Sequence, residues 1–434
     1  MIQVSVVSAR HIYRIGFWVL TLFVAVAGTA TCSMAQATGD AIGRLPAPTG
    51  DLAVGRVTLT WADASRVEPL SPNDVRKLAV DIWYPADSTG GAPAPYLDFA
   101  GFERAVGAET LQKRLRGAYG VIKAGAVRTY AVNGAPFARS IEPTPVLIFS
   151  PGMGMPRELY TAQLEDLASH GYVVAAISHT YDAFAVVFPD GTNIISSDKR
   201  WPVQPSFEGK ANLNQLEWQA DDIRFVLDQL SRSNESAVRS LPFTGHLDLG
   251  RVGAFGHSFG GVAVAYACQG DPRIKACLNQ DGENGFTPFY LDPRGRGIDQ
   301  PFMFIERALR TTPPTDDELA AMKVTRDRLT EIAAALMAYR DRVLRSTGTT
   351  YHVILQSNTT THMDFSDFPI LSAGNTIEAD THMRIMAVVR DYTRAFFDRY
   401  LKEARSPLLD GKASSLFVEG IERFGSAKQS NRQR

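Results

Sequence analysis

Apolar residues in this chain fall into two kinds of run. Pro145–Ser150, Tyr172–Ser178, Val252–Phe255 and Ile274–Asn279 are short, predominantly apolar runs without strict alternation. Such short blocks predict strands buried on both faces, the mark of a largely parallel sheet. Phe302–Ile305 and Tyr351–Gln356 are two more. Glu158–His170, Leu213–Leu230 and Thr381–Ala404 instead place apolar residues at helical spacing. Strands alternating with helices predict an α/β fold, with helices on both faces of a mostly parallel central sheet. Leu52–Trp61 and Lys77–Tyr84 alternate apolar with polar and predict an antiparallel edge. Asp190-Gly191 predicts a hairpin turn within Phe188–Asn193.

Phe102–Tyr119 reads as one helix, with Phe102, Val106, Leu111, Leu115 and Tyr119 near helical spacing and Lys113, Arg114 and Arg116 between them. An ordinary packed helix with a solvated basic face is the simpler account; transient contact with a lipid surface is the alternative. A charged helical insertion, about 307–346, precedes the last predicted strand. The domain extends over 51–425, between a Pro-containing linker at 38–50 and a polar, disordered tail at 426–434.

The first 37 residues have a different logic. Arg10, His11 and Arg14 precede an apolar run from Ile15 to Ala27, and Ser33-Met-Ala35 or Ala35-Gln-Ala37 fits a cleavage site. This order predicts a signal peptide and export to the periplasm or the medium. The run is shorter than the ~18–20 residues that a membrane span needs. Cleavage removes Cys32, whose context is poor for lipid attachment, and leaves Cys268 and Cys277. Two buried thiols are the expectation, with a bridge as the alternative that an oxidising compartment permits.

Composition excludes more than it suggests. The 434 residues carry 45 Lys and Arg against 46 Asp and Glu, a net charge of −1. That gives no electrostatic case for a nucleic-acid partner. No His and Cys spacing suggests a metal, and no motif a cofactor.

The chemistry lies in Gly256-His-Ser-Phe-Gly260. This G-x-S-x-G pattern follows a buried strand and opens the small-residue helix Gly261–Ala267. Strand, sharp turn and helix with Ser258 at the apex make the nucleophile elbow of an α/β-hydrolase fold. The helix doubles back over the strand, so side chains at Gly256 and Gly260 would collide. Ser258 then needs a base and an orienting acid, in the chain order Ser, acid, His. Of eight His residues, His11, His170, His179, His246 and His257 precede or adjoin Ser258, His352 lies in a strand and His382 in the terminal helix. His362 follows a strand directly, at the carboxyl end where a base belongs. Two carboxylates follow strands beyond the elbow, Asp281 and Glu306, and both remain candidates for the acid. The oxyanion site should use the N–H of Phe259 together with Met153 or Gly152 in the turn Pro151-Gly-Met-Gly154.

Phe149-Ser-Pro-Gly-Met-Gly154, Glu158-Leu-Tyr160 and Asp166–Ala176 resemble the matching segment of platelet-activating factor acetylhydrolases, the group VII phospholipases A2. Gly256–Gly261 is similar to their elbow, and His362-x-x-Phe365-x-Asp367-Phe368 to the segment around their catalytic His. The likeness runs from about Leu78 to Phe368, with gaps. It implies Asp281 as the acid and Met153 and Phe259 as oxyanion donors. It also implies hydrolysis of short or oxidised acyl chains on phospholipids, in the manner of a 1-alkyl-2-acetylglycerophosphocholine esterase. A general short-chain or polyester esterase is the runner-up; an amidase or peptidase and a noncatalytic binding protein rank lower. Pro151, where the family often has His, and Gly282-Glu283, where an aromatic is common, depart from the pattern around the pocket.

Overall fold

The computed structural model describes residues 43–424 apart from 88–89, 139–142, 197–212, 236–240, 283–296, 309–313, 322–323, 332–333, 335–337, 339–347, 375 and 412–415. The proposed signal peptide and polar tail lie outside the described residues. Ten strands form one sheet. They are β1 (Ala53–Val67), β2 (Val75–Ala86), β3 (Ala131–Asn133), β4 (Thr144–Ser150), β5 (Val173–Ser178), β6 (Leu247–His257), β7 (Ile274–Gln280), β8 (Phe302–Arg307), β9 (Thr350–Leu355) and β10 (Val418–Phe424). Their order is β10-β9-β8-β7-β6-β4-β5-β2-β1-β3. From β9 across to β5 all pairs are parallel, while β2 and β10 run antiparallel to their inner neighbours.

The consecutive apolar blocks are buried on both sides, as their pattern requires. In β4, Leu147 and Phe149 join the core on one face, and Val146 and Ile148 join that on the other. Helices α1 (Thr161–Ser169) and α2 (Ile377–Leu401) cover the first face through Leu164, Leu167, Val389 and Phe396. Helices α3 (Leu213–Glu235) and α4 (Phe259–Gly270) cover the second through Leu216, Ile223, Val262 and Val264. Each such side chain, fully buried, contributes about 1.5–3 kcal/mol. After β4 the chain builds β5 on one flank and then returns to lay β6 on the other. The carboxyl ends of β4 and β6 therefore flank a topological switch point, where parallel sheets place their sites.

Several expectations need correction. The 38–50 stretch is no free linker over its described part. Gly43–Arg44 pairs with Val127–Arg128, Leu45 is buried, and Arg390 donates to the Pro46 and Ala47 carbonyls. Phe102–Tyr119 is not one helix: Gly107, at φ 79°, separates Phe99–Val106 from Ala108–Leu115, and a 3₁₀ turn at Arg116–Ala118 leads into a further short helix, Tyr119–Lys123. Phe102, Leu111 and Leu115 point into the core, so the apolar positions of this segment serve packing. Cys268 and Cys277 form a disulfide rather than two thiols. The last turn of α4 and the middle of β7 bring them together. Tyr351–Gln356 is not the last strand, since β10 pairs beyond it. Glu419, Glu422 and Arg423 make β10 polar, as suits an edge strand, and hide it from an apolar pattern search. The insertion between β8 and β9 is helical at Asp316–Ala321 and over 326–331.

Candidate active site

Ser258 sits between β6 and α4 with φ 54° and ψ −127°, a strained backbone for a residue with a Cβ. Its N–H donates to the Gln280 carbonyl at 2.8 Å, which fastens the turn to β7. A methyl at Gly256 would overlap the Gly260 backbone, and one at Gly260 the Ser150 and Pro151 carbonyls. The two glycines thus let α4 dock on β6 and on the turn after β4. A methyl at Gly152 would lie 3.3 Å from the Ser258 Cβ, so that turn faces the serine.

His362 opens a short 3₁₀ turn, His362–Phe365, beyond β9. Asp364 caps this turn by accepting from the Thr361 N–H and hydroxyl, and its other oxygen accepts from His382 on α2. That hydrogen bond raises the His382 pKa above its ordinary value, against the opposing effect of burial. The loop is therefore anchored to a long helix rather than hanging from a strand end.

The structure brings Ser258, His362 and Asp281 together. Ser258 Oγ lies 3.0 Å from His362 Nε2, and His362 Nδ1 lies 2.5 Å from Asp281 Oδ2. Asp281 occupies a left-handed conformation at φ 51°, and its N–H donates to the Ile305 carbonyl at 2.7 Å. Arg307 completes the carboxylate's environment, its Nε donating to Oδ2 at 2.8 Å and its N–H to Oδ1 at 3.1 Å. A carboxylate facing only donors is acceptor-only, so Nδ1 of His362 carries the proton and Nε2 is left to accept from Ser258. The His362 side chain is 24% exposed and that of Asp281 only 6%, so a substrate can reach the first and water hardly touches the second. Such an arrangement can remove the serine proton as the hydroxyl attacks an acyl carbon.

Glu306, the other candidate acid, is elsewhere. Adjacent residues of a strand point to opposite faces. Arg307 reaches Asp281, whereas Glu306 Oε1 pairs with His352 Nε2 on β9 at 2.6 Å. A second Ser-His-Asp row lies nearby. His179 is 2.9 Å from Ser150 Oγ and 2.8 Å from Asp222, whose carboxylate is also held by Arg66 and Arg76. All three members of this row are buried, so no ester can enter it. Burial pushes the Asp222 carboxyl up, but Arg76, together with the hydrogen bond from His179, outweighs it and holds the group far below its ordinary range.

Sequence reasoning missed three side chains of the site: Arg307, Tyr160 and His257. His257 stands inside the G-x-S-x-G pattern but drew notice only as a potential base. Its Nε2 lies 2.8 Å from the His362 carbonyl, and its Nδ1 lies 2.8 Å from Tyr160 Oη. Tyr160 Oη accepts from the Gly152 N–H at 3.0 Å, which leaves Met153 as the turn's other candidate donor. Among the described residues no group of His, Cys, Asp and Glu is placed to hold a metal ion.

The sheet order, the elbow and the row Ser258, His362 and Asp281 define an α/β-hydrolase. Within that class the chain belongs to the family described as platelet-activating factor acetylhydrolase, isoform II, whose model matches residues 40–385. The chain is 28% identical over 242 residues to a platelet-activating factor acetylhydrolase of Cavia porcellus, covering 52% of this chain and 53% of that protein. It is 31% identical over 159 residues to a probable 1-alkyl-2-acetylglycerophosphocholine esterase of Arthroderma benhamiae, covering 37% and 36%. The chain thus spans about half or less of the length of these relatives. A ferulic acid esterase from Streptomyces cinnamoneus superposes with a TM-score of 0.63 at 28% identity, over 88% of this chain and 98% of that one.

Proposed function

We propose that the protein hydrolyses carboxylic esters through an acyl-serine intermediate. One observation carries the reading: a reachable His362 bridges Ser258 Oγ at 3.0 Å and a shielded Asp281 at 2.5 Å. Ser258 Oγ attacks the ester carbonyl carbon as its proton passes to His362 Nε2. The carbonyl oxygen becomes an oxyanion held by the N–H groups of Met153 and Phe259. His362 returns the proton to the departing alkoxide, the C–O bond breaks, and the acyl group stays on Ser258. Water then attacks the acyl-serine with His362 again as base, which frees the acid and restores the hydroxyl. Asp281 keeps Nδ1 protonated and stabilises the imidazolium.

The substrate class we assign is a phospholipid bearing a short or oxidised acyl chain. The family and the two relatives named for acetylhydrolase or 1-alkyl-2-acetylglycerophosphocholine esterase support this. A general short-chain esterase is the second reading, favoured by the ferulic acid esterase that superposes over nearly its whole length. Export behind a cleaved signal peptide fits a chain with a disulfide, since such bonds persist in oxidising compartments.

Rates on p-nitrophenyl esters of two to sixteen carbons, with an acetylated phospholipid beside them, test the assignment. Activity confined to the shortest esters and the phospholipid supports it; activity on p-nitrophenyl esters without phospholipid turnover supports the second reading. A fluorophosphonate probe should label Ser258, and labelling that survives Ser258→Ala would overturn the mechanism. N-terminal sequencing of exported protein should begin near Gln36 or Thr38.

A further inference from the structure

We infer that Tyr160 and His257 are positioning residues that tie the proposed oxyanion turn to the loop of the base. The inference rests on the reading of Ser258 and His362 given above and extends it to two side chains that touch no substrate.

The argument starts from a carbonyl, which can only accept. His257 Nε2 lies 2.8 Å from the His362 oxygen, so Nε2 carries a proton. Burial, with His362 as a lesser cause, holds the His257 pKa well below its ordinary value, so the ring is neutral. A neutral imidazole with Nε2–H has a bare Nδ1, and the group 2.8 Å from it, Tyr160 Oη, must donate. Burial likewise raises the phenol pKa and keeps that proton in place. The lone pairs of Oη then accept from the Gly152 N–H at 3.0 Å. Every link has one allowed direction: Gly152 N–H to Tyr160, Tyr160 to His257, His257 to the His362 carbonyl.

The endpoints give this row its significance. Gly152 immediately precedes Met153, and its Cα faces Ser258. His362 is the residue whose ring faces the Ser258 hydroxyl. The connecting ring is held from its sides as well, with centroids 4.6 Å from His362 and 5.5 Å from Phe365, the latter nearly parallel. Tyr160 and His257 are both buried, so water cannot replace a lost link. Sequence-distant segments, the turn after β4 and the loop after β9, thereby share one reference frame. Removing the phenol oxygen frees the turn and leaves the buried Nδ1 of His257 without its donor.

Tyr160→Phe keeps the ring and removes only Oη. Misplacement of catalytic groups by a fraction of an ångström to 1 Å costs up to about 10²-fold, and loss of a whole oxyanion donor about 10²–10³-fold. Tyr160→Phe should therefore lower kcat on p-nitrophenyl acetate about 10–100-fold, with KM within about twofold and an unchanged circular dichroism spectrum. His257→Gln can still donate to the His362 carbonyl and should exceed His257→Leu in kcat at least severalfold. A folded Tyr160→Phe protein with wild-type kcat, or equal kcat in the two His257 variants, overturns the inference. Ser258→Ala separates the two levels. Turnover that survives it defeats the underlying reading, whereas an inactive Ser258→Ala beside a fully active Tyr160→Phe defeats this inference alone.

Discussion

Replacing Asp281 by Asn tests the site most sharply, because its environment contains only donors. His362 Nδ1–H and Arg307 Nε–H share Oδ2, and the Arg307 N–H points at Oδ1. An amide has one acceptor oxygen and one NH₂ group. If the oxygen replaces Oδ2, the NH₂ confronts the Arg307 N–H, donor against donor. If the NH₂ replaces Oδ2, it confronts Arg307 Nε–H and His362 Nδ1, and the imidazole escapes by moving its proton to Nε2. That tautomer presents a donor to Ser258 and cannot take its proton. The corresponding change in a serine protease, where the wrong tautomer forms with geometry intact, lowers kcat by about 10⁴. We expect a loss of ~10³–10⁴ for Asp281→Asn in p-nitrophenyl acetate hydrolysis, equivalent to about 4–5.5 kcal/mol of transition-state stabilisation. The fold should survive, since the variant leaves the sheet untouched. Glu306→Gln removes the charge beside His352, away from Asp281, while its amide can still hydrogen-bond that ring, and should change kcat less than about tenfold. The reverse pattern, with Glu306→Gln inactive and Asp281→Asn active, would refute the assignment of the acid.

Arg307→Met should lower kcat about tenfold, less than Asp281→Asn, because the residue's backbone N–H still holds Oδ1; steady-state kinetics checks this, and a loss as large as that of Asp281→Asn would give Arg307 a larger part. The disulfide closes a loop of sequence separation 9, so the double variant Cys268→Ala with Cys277→Ala should lose about 2–3 kcal/mol in urea melts, and an unmoved midpoint would refute it. Glu165 gives a pH signature. Burial lifts its carboxyl from an ordinary 4.5 to about 7, against the hydrogen bonds from Tyr130 and Ala131. The folded state therefore holds a proton that the unfolded chain releases, and stability falls as pH rises from about 4.5 through 7. Glu165→Gln, which mimics the protonated form, should flatten the change in melting temperature between pH 5 and 8; an unaltered slope would show that the group does not titrate there.

The strands of the sheet centre were legible because a strand buried on both faces has no polar positions, as in Val146–Phe149. The elbow was legible for an equally local reason. Ser258 in a strained turn demands glycine at 256 and 260, and that steric demand is written in five adjacent residues. His362 stood out as the candidate base by chain order together with its place directly after a strand, which His352 and His382 lack. What adjacent residues cannot encode is which way a side chain finally faces across the fold. Asp281 and Glu306 look alike as strand-end carboxylates; the resemblance favoured Asp281, but the residues themselves did not, and the physical difference lies in the alternation of β8, which turns Arg307 one way and Glu306 the other. The same holds for Cys268 and Cys277, whose pairing depends on how α4 meets β7. It holds for β10 too, a polar edge that becomes a strand only because β9 offers it an unpaired side. Tyr160 and His257 needed tertiary structure most of all. Each is an unremarkable aromatic in its own segment, and their hydrogen bonds exist only where the turn after β4, the elbow and the loop after β9 converge. Steric demands act between neighbours in the chain and leave a mark in its letters; hydrogen-bond polarity acts between neighbours in space, which the packed sheet alone assigns.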